Sequence, residues 1–321
     1  TGQKGIQGIQ GVPGGGETLI GRVALAANTT LTTAHAANLV DCSGTFTLAF
    51  TAAASLGTRW VTWIRNVGTG DITLDPAGSE LIDGLTSYIM YPGEVRMIYC
   101  DGATFRSIVL QAFSKTFTTS GNFVKPAGYS MFEGLLWGSG GSGVKASTSY
   151  RTGGSGAACA EFALPAGAFG STEVVAIGAG AVAVTADGSF GNNGNASTLG
   201  ALVTASGGKR GLFATSGSSD AIAVGGKPYS PEVSVAHLNG ATAEGATPTG
   251  AVYGAGAGAG LTNTNVVGQA GSSVFGGKGG TASITGNGGD GVAPGGGGGA
   301  TESGAQSGAG ARGELRIWGK V

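Results

Sequence analysis

At 321 residues the chain is long enough for more than one domain. Glycine fills 67 positions while only 11% of residues are charged, a balance that suits neither an average enzyme nor a disordered charged tail. The formal net charge of -1 gives no overall field for nucleic acid or an anionic membrane, and no local basic patch stands out.

The first stretch reads "TGQKGIQGIQGVPGGG", with Gly2, Gly5, Gly8, Gly11 and Gly14 at every third place. In a collagen triple helix every third residue sits on an axis shared by three chains, where only Gly fits, so this register predicts a homotrimer with a shaft segment at 1–16. Five triplets with Pro13 as the sole stiffening ring are too few to hold three chains, because ordering each residue costs roughly 1–2 kcal/mol. A clamp is therefore expected downstream. Ile6, Ile9 and Val12 each follow a Gly directly, unlike the composition of a solvated linker. No basic-then-apolar leader and no run of about 18 apolar residues is visible, so neither export nor membrane insertion is expected. Cys42, Cys100 and Cys159 lack the spacing of a metal knuckle or redox pair and are odd in number, which predicts reduced thiols.

Residues 17–112 read as ordinary β structure. In "GTFTLAF", Phe46, Leu48 and Phe50 alternate with Thr45, Thr47 and Ala49, which puts three large apolar groups on one face. "RWVTWIRNV" and "DITLD" flank Gly68-Thr69-Gly70, a link suited to a hairpin, and Tyr91-Pro92-Gly93-Glu94 suits a type II turn. "EVRMIYC" and "ATFRSIVL" are joined by Asp101-Gly102, a strong tight-hairpin signal. The count of short strands predicts a β-sandwich or jelly-roll-like module. Trp60 and Trp63 are expected in its core or at a trimer contact.

Residues 113–321 shift toward Gly, Ala, Ser and Thr, with little room for an ordinary core. The segment should open with the hairpin "KTFTTSGNFVKPAG" and end with the strand "ELRIW". Within "VVAIGAGAVAV", short buried strands are expected before an Asp187-Gly188 turn. Each Gly loses more backbone freedom on folding than any other residue, so such a fold must gain from close backbone approach. Stepping by three from Gly268 to Gly313 visits sixteen positions, eleven of them Gly, while the thirty positions between hold only eight. Four of the five exceptions, Val274, Ser283, Val292 and Thr301, lie nine apart, giving a nine-residue theme. A threefold period without Pro fits polyglycine strands of polyproline II shape packed side by side.

Chemical motifs are thin. Gly138, Gly140 and Gly143 match a dinucleotide fingerprint with Glu161 downstream, but no amphipathic helix follows to hold a pyrophosphate. "GSSVFGGKGG" misses the phosphate-loop spacing. His35 and His237 lie in different halves, and no Ser occupies a nucleophile-elbow context. Asp71, Asp75, Glu80 and Asp83 are close in sequence, yet they flank turns that use such residues anyway. Asp290 alone does not make a calcium-binding nonapeptide repeat. No catalytic residue, metal ligand or cofactor is expected.

Three stretches together resemble tailed-bacteriophage tail fibres: the Gly-x-y opening, the run from "LTTAHAANLVDCSGTFTLAF" to "YPGEVRMIYCDGATFRSI", and "FTTSGNFVKPAG" with "GDGVAPGGGGGA" and "GARGELRIWGKV". The resemblance covers nearly the whole chain. It implies a trimeric fibre end on the virion, assembled in the host cytoplasm and joined to other tail-fibre or baseplate proteins. Its Gly-rich tip would contact a bacterial surface receptor, either an outer-membrane protein or a surface saccharide. The overall expectation is an all-β homotrimer with a collagen-like shaft, a β-sandwich module and a Gly-rich receptor-binding tip. Aromatic and basic groups in Gly-Ser loops have few neighbours to bury them, which selects Tyr150, Arg151, Lys209, Arg210, Phe213, Lys227, Tyr229 and Tyr253 as receptor contacts. A capsule depolymerase and a purely structural fibre protein are the alternatives.

Overall fold

The computed structural model describes residues 21–147, 150–214, 222–223, 228–229, 243–244, 251–261 and 267–321. The collagen-like segment 1–16 lies outside the described residues. The protein is all-β.

The first unit contains β1 (Gly21–Leu25), β2 (Thr29–Leu31), β3 (Asn38–Cys42), β4 (Phe46–Phe50), β5 (Val61–Asn66), β6 (Ile72–Asp75), β7 (Tyr88–Met90), β8 (Val95–Cys100) and β9 (Phe105–Gln111). Sheet 1 runs β1-β3-β5-β8-β9 and sheet 2 runs β2-β4-β6-β7. Successive strands from β1 to β6 alternate between the sheets, and within each sheet they pair parallel. The two-layer sandwich is therefore wound as a parallel coil, where a jelly roll would be antiparallel. Phe46, Leu48 and Phe50 face inward as the alternation requires, and join Ile64, Ile72, Leu74, Ile98 and Trp60 in one core. Trp60 meets the Phe50 and Phe105 rings edge-on, and its indole N–H donates to the Thr32 carbonyl at 3.0 Å.

The coil corrects the hairpin expected at Gly68-Thr69-Gly70. β5 pairs with β3 and β8, whereas β6 pairs with β4 and β7, so this link is a corner between sheets. Corners stack on one another: a Cβ on Gly70 would lie 2.4 Å from the Gly44 carbonyl of the preceding coil. Glycine is needed there because successive backbones touch. The other two turns form where expected. Gly93 has φ +81° with Glu94 N–H donating to the Tyr91 carbonyl at 3.2 Å, and Asp101-Gly102 joins the antiparallel pair β8–β9.

The second unit holds β10 (Ser114–Phe117), β11 (Gly121–Val124), β12 (Met131–Trp137), β13 (Tyr150–Arg151), β14 (Cys159–Pro165), β15 (Thr172–Ala176), β16 (Ser197–Leu199), β17 (Val203–Ala205), β18 (Phe213–Ala214), β19 (Ile222–Ala223), β20 (Pro228–Tyr229), β21 (Ala243–Glu244) and β22 (Glu314–Lys320). Sheet 3 is β10-β22-β12-β14 and sheet 4 is β11-β15-β16-β17-β20, with separate pairs β13–β18 and β19–β21. β10 and β11 fall in different sheets, so "KTFTTSGNFVKPAG" is a crossing between layers and not the expected hairpin. Beyond Phe113 an ordinary core does exist. Phe113, Phe117, Phe123, Tyr129, Phe132, Phe162 and Phe169 fill the space between sheets 3 and 4 together with Leu136, Val175 and Leu315. A few aromatic rings, each worth about 1.5–3 kcal/mol or more when buried, suffice where composition alone suggested too little apolar mass.

Tyr91 belongs to that aromatic core, and a buried ionic cluster ties the two units further. Glu94 and Arg96 are fully buried and 2.6 Å apart. The Tyr88 and Tyr129 hydroxyls donate to Glu94 at 2.7 and 3.0 Å, and Arg96 also donates to Tyr88 and to the Ala127 carbonyl. Every buried charge thus has partners, which is the condition for tolerating burial. Burial still pushes the Glu94 carboxyl above its ordinary value. The three Cys are buried free thiols, and burial raises Cys42 to about 12.

Candidate functional site

The strands of sheets 3 and 4 run on into glycine-rich segments. Segment 138–144 continues β12, 177–184 continues β15 and 206–212 continues β17, while 152–158, 191–196 and 307–313 lead into β14, β16 and β22. Segments 254–261, 276–282, 286–292 and 295–301 pack against these.

Hydrogen bonds reveal their geometry. In segment 138–144, Ser139 and Ser142 N–H donate to the Asn195 and Asn192 carbonyls, Gly140 and Gly143 to Ala311 and Gly308, and Gly141 and Val144 to Ser155 and Thr152. Donors therefore rotate through three neighbours with a period of three residues. Its carbonyls accept from three further segments, through Gly208 and Gly211, through Ala181, and through Gly298 and Thr301. Segment 295–301 repeats the rule: Gly296 and Gly299 donate to Val292 and Gly289, Gly297 and Ala300 to Gly256 and Ala259, and Gly298 and Thr301 to Gly141 and Val144. Three residues per turn with every bond made to another strand is the polyproline II form of polyglycine. The result is a lattice whose central strands are ringed by six others. A Cβ on Gly140 would lie 2.0 Å from the Gly296 carbonyl oxygen, and one on Gly298 2.0 Å from that of Gly308, so side chains are excluded where strands face each other. Buried hydroxyls fit where a backbone N–H needs an acceptor: Ser139, Ser142, Ser155 and Thr152 accept from Asn195, Asn192, Lys209 and Leu212 at 2.6–2.9 Å.

The nine-residue theme corresponds to one lattice strand plus one reversal. Ser283 and Thr301 sit at reversals, where their hydroxyls accept from Gly286 and Gly304 N–H at 2.9 and 3.2 Å. Ser273 does the same for Gly276 beside the exposed Val274. Reversals next to the β-sandwich carry 251–253, 273–275 and 292–294; there Tyr253 stacks on Phe275 at 4.8 Å, and its carbonyl accepts the Trp137 indole N–H. Reversals at the far end carry 145–147, 185–189, 283–285 and 301–306. Asp187 accepts from the Ser147 N–H and hydroxyl, both at 2.7 Å, and these bonds hold its carboxyl below the ordinary value.

On the flank near the far end, Phe190 is 42% exposed with the Arg210 guanidinium 5.0 Å from its ring centroid. The Arg210 N–H donates to the Asn193 side chain at 2.9 Å, and the exposed Lys209 stands beside it. Two backbone anchors fix this group: Lys209 N–H to Ser155 and Gly191 N–H to the Gly211 carbonyl. An aromatic face with two cations can stack on a sugar or ring and pair with an acid.

Of the contacts expected from sequence, Lys209 and Arg210 are exposed, and Arg210 lies against the Phe190 ring. Tyr253 is half-buried at the sandwich end, away from them. Arg151 is corrected: it is only 1% exposed, donates to the Ser147 carbonyl at 3.1 Å and approaches Glu302 at 3.7 Å. It is covered because Leu261 pairs with its backbone on the edge of the lattice. Tyr150 pairs with Ala214 and Phe213 with Arg151 in β13–β18, and Tyr229 pairs with Thr204, but the side chains of Tyr150, Phe213 and Tyr229, like Lys227 altogether, lie outside the described residues. Sequence reasoning missed Phe190 and Phe275. Phe190 directly follows the reversal at Asp187-Gly188 and Phe275 lies within the one at 273–275, so turn signals beside an aromatic point to both. Gly138, Gly140 and Gly143 are lattice residues with no helix after them.

A polyglycine lattice rooted in a β-sandwich defines a class of glycine-rich domain in which backbone pairing replaces side-chain burial. The chain belongs to the glycine-rich domain family, whose model matches residues 117–318. Comparison with curated proteins gave no match.

Proposed function

We propose that this protein is a tail-fibre receptor-binding protein of a tailed bacteriophage, placed at the distal end of the fibre and attaching the virion to a bacterial surface through its glycine-rich tip. The observation that carries the reading is the exposed Phe190–Arg210 pair, with Lys209 beside it, on a backbone hydrogen-bonded from both sides. A site held this way loses little freedom on binding, which favours affinity from few contacts. The far-end reversals add loops whose sequence can vary while the lattice beneath stays fixed, the usual division between scaffold and binding loops. An outer-membrane protein loop or a surface saccharide suits an aromatic ring paired with a guanidinium. Three of the four clustered carboxylates that a depolymerase could use are engaged structurally: Asp71 pairs with Lys115, Glu80 accepts from Ala53 N–H, and Asp83 accepts from Ser107, while Asp75 is exposed.

The test is binding of labelled protein to a panel of bacterial cells and their envelope fractions. Saturable binding to one fraction is expected, and replacing Phe190 and Arg210 together by Ala should weaken it by about tenfold or more, as for a central contact. Absence of binding across the panel, or a variant that binds as well as the parent, would overturn the reading. Release of oligosaccharides from host glycan would favour the depolymerase.

A further inference from the structure

The first unit has two outer faces of opposite character. Across sheet 2 the register lines up Thr30, Ala49 and Asp75 in one row and Thr47, Thr73 and Ile89 in the next. Five of these six are small or polar, as on a sheet face that water covers. Across sheet 1, Leu39, Trp63, Met97 and Ile108 form one row over four strands, and Val61 stands opposite Tyr99 in the neighbouring row. Alternation sends their neighbours Thr62, Ile64 and Ile98 into the core, so these side chains point outward. Tyr99, Ile108 and Leu110 are 40%, 51% and 55% exposed. Aromatic, Met and aliphatic residues in contiguous rows are the composition of an interface centre. The bordering row supplies a polar rim, where Asp41 is buried between Arg22 and Arg65 at 2.6 and 2.8 Å.

We propose that this face of sheet 1 is where three copies of the chain meet, with Trp63 near the centre of the contact. The occupant follows from the sequence just before it. Gly2 to Gly14 carry a register that requires three chains on one axis, and only six residues separate Gly14 from Gly21. That distance spans at most about 25 Å, and Gly21 opens β1, the edge strand of this same sheet. Three chains leaving a common axis thus deliver sheet 1 close to it. The contact is the clamp that five collagen-like triplets need, and it stands independently of whether the tip binds a cell surface.

Sedimentation equilibrium of the full chain tests this. The parent should give three times the mass of the chain. Trp63→Glu combined with Ile108→Glu should weaken association at least a hundredfold and give the mass of one chain, with an unchanged far-ultraviolet circular dichroism spectrum. Thr47→Glu with Thr73→Glu, on the outer face of sheet 2, should leave the trimer intact. Should the double variant fail to fold, Ile108→Lys alone, on the edge strand β9 and outside the core, carries the same expectation. A parent that sediments as one chain, sheet 1 variants that keep the parental mass, or sheet 2 variants that dissociate it equally would each overturn the proposal. A trimer that fails to bind cells would instead count against the receptor-binding reading alone.

Discussion

At the scale of single residues, the lattice inverts the usual worth of side chains. Gly140 and Gly298 matter because they have none: an added methyl would press on a backbone oxygen that is itself fixed by hydrogen bonds and cannot yield as a flexible side chain would. Gly140→Ala or Gly298→Ala should each cost about 1–3 kcal/mol or more through overpacking. Gly167→Ala, at a position where the new methyl meets nothing, should be close to neutral. Denaturant unfolding of the three variants measures the contrast, and equal stability would contradict the lattice. The Arg151 outcome belongs to this scale too. Its place in a Gly-Ser stretch gave no sign of burial, because what covers it, Leu261 and Glu302, arrives from more than a hundred residues away.

At the scale of elements, protection against amide hydrogen exchange should follow position in the lattice. Segments 138–144 and 295–301, ringed by other strands with each N–H donated, should exchange slowest. The flank segment 177–184, where Val182 is exposed, should exchange faster. Uniform exchange across the glycine-rich segments would contradict this order. Much of this level was legible in the sequence. The strands with alternating Phe and Leu, the turns at Gly93 and Asp101-Gly102, and the three-residue period after Gly268 all have local causes. Pairing was less legible. Gly68-Thr69-Gly70 looks the same whether it turns a strand back on its neighbour or around a corner, since the difference lies in the stacking on Gly44. Before Gly268 the lattice segments are too separated in sequence for their period to show, and "IGAGAVAV" reads as a buried β-strand. In the candidate site, Lys209 and Arg210 are readable from composition, whereas Phe190 gains meaning only from Arg210 across from it.

At the scale of the molecule, the Glu94–Arg96 cluster and the Tyr91 ring join the coil to the aromatic sandwich, so the two should unfold as one. Arg96→Met removes the partner of a buried carboxylate and should cost about 3–5 kcal/mol. Glu94 already has a raised pKa because of burial. An acid whose folded value lies above its unfolded one favours the folded state at low pH and loses that support as pH rises through the interval. The deficit of Arg96→Met should therefore grow from about pH 5 to about pH 8. Thermal unfolding followed at both pH values checks this, and a deficit that shrinks with rising pH would place the charge balance elsewhere. Little in the local pattern signals the cluster, because Tyr129 and Ala127 reach it from beyond the boundary suggested by composition.

One pairing has a mechanical corollary. β10, the first strand after the coil, lies antiparallel beside β22, and β22 in turn lies against β12, from which the central lattice strand springs. A pull on the far loops, resisted at the other end of the molecule, therefore runs through ladders of bonds lying side by side, which must slip together and cannot be peeled one by one. A chain built this way would resist load applied at its far end while its outermost loops remain free to change.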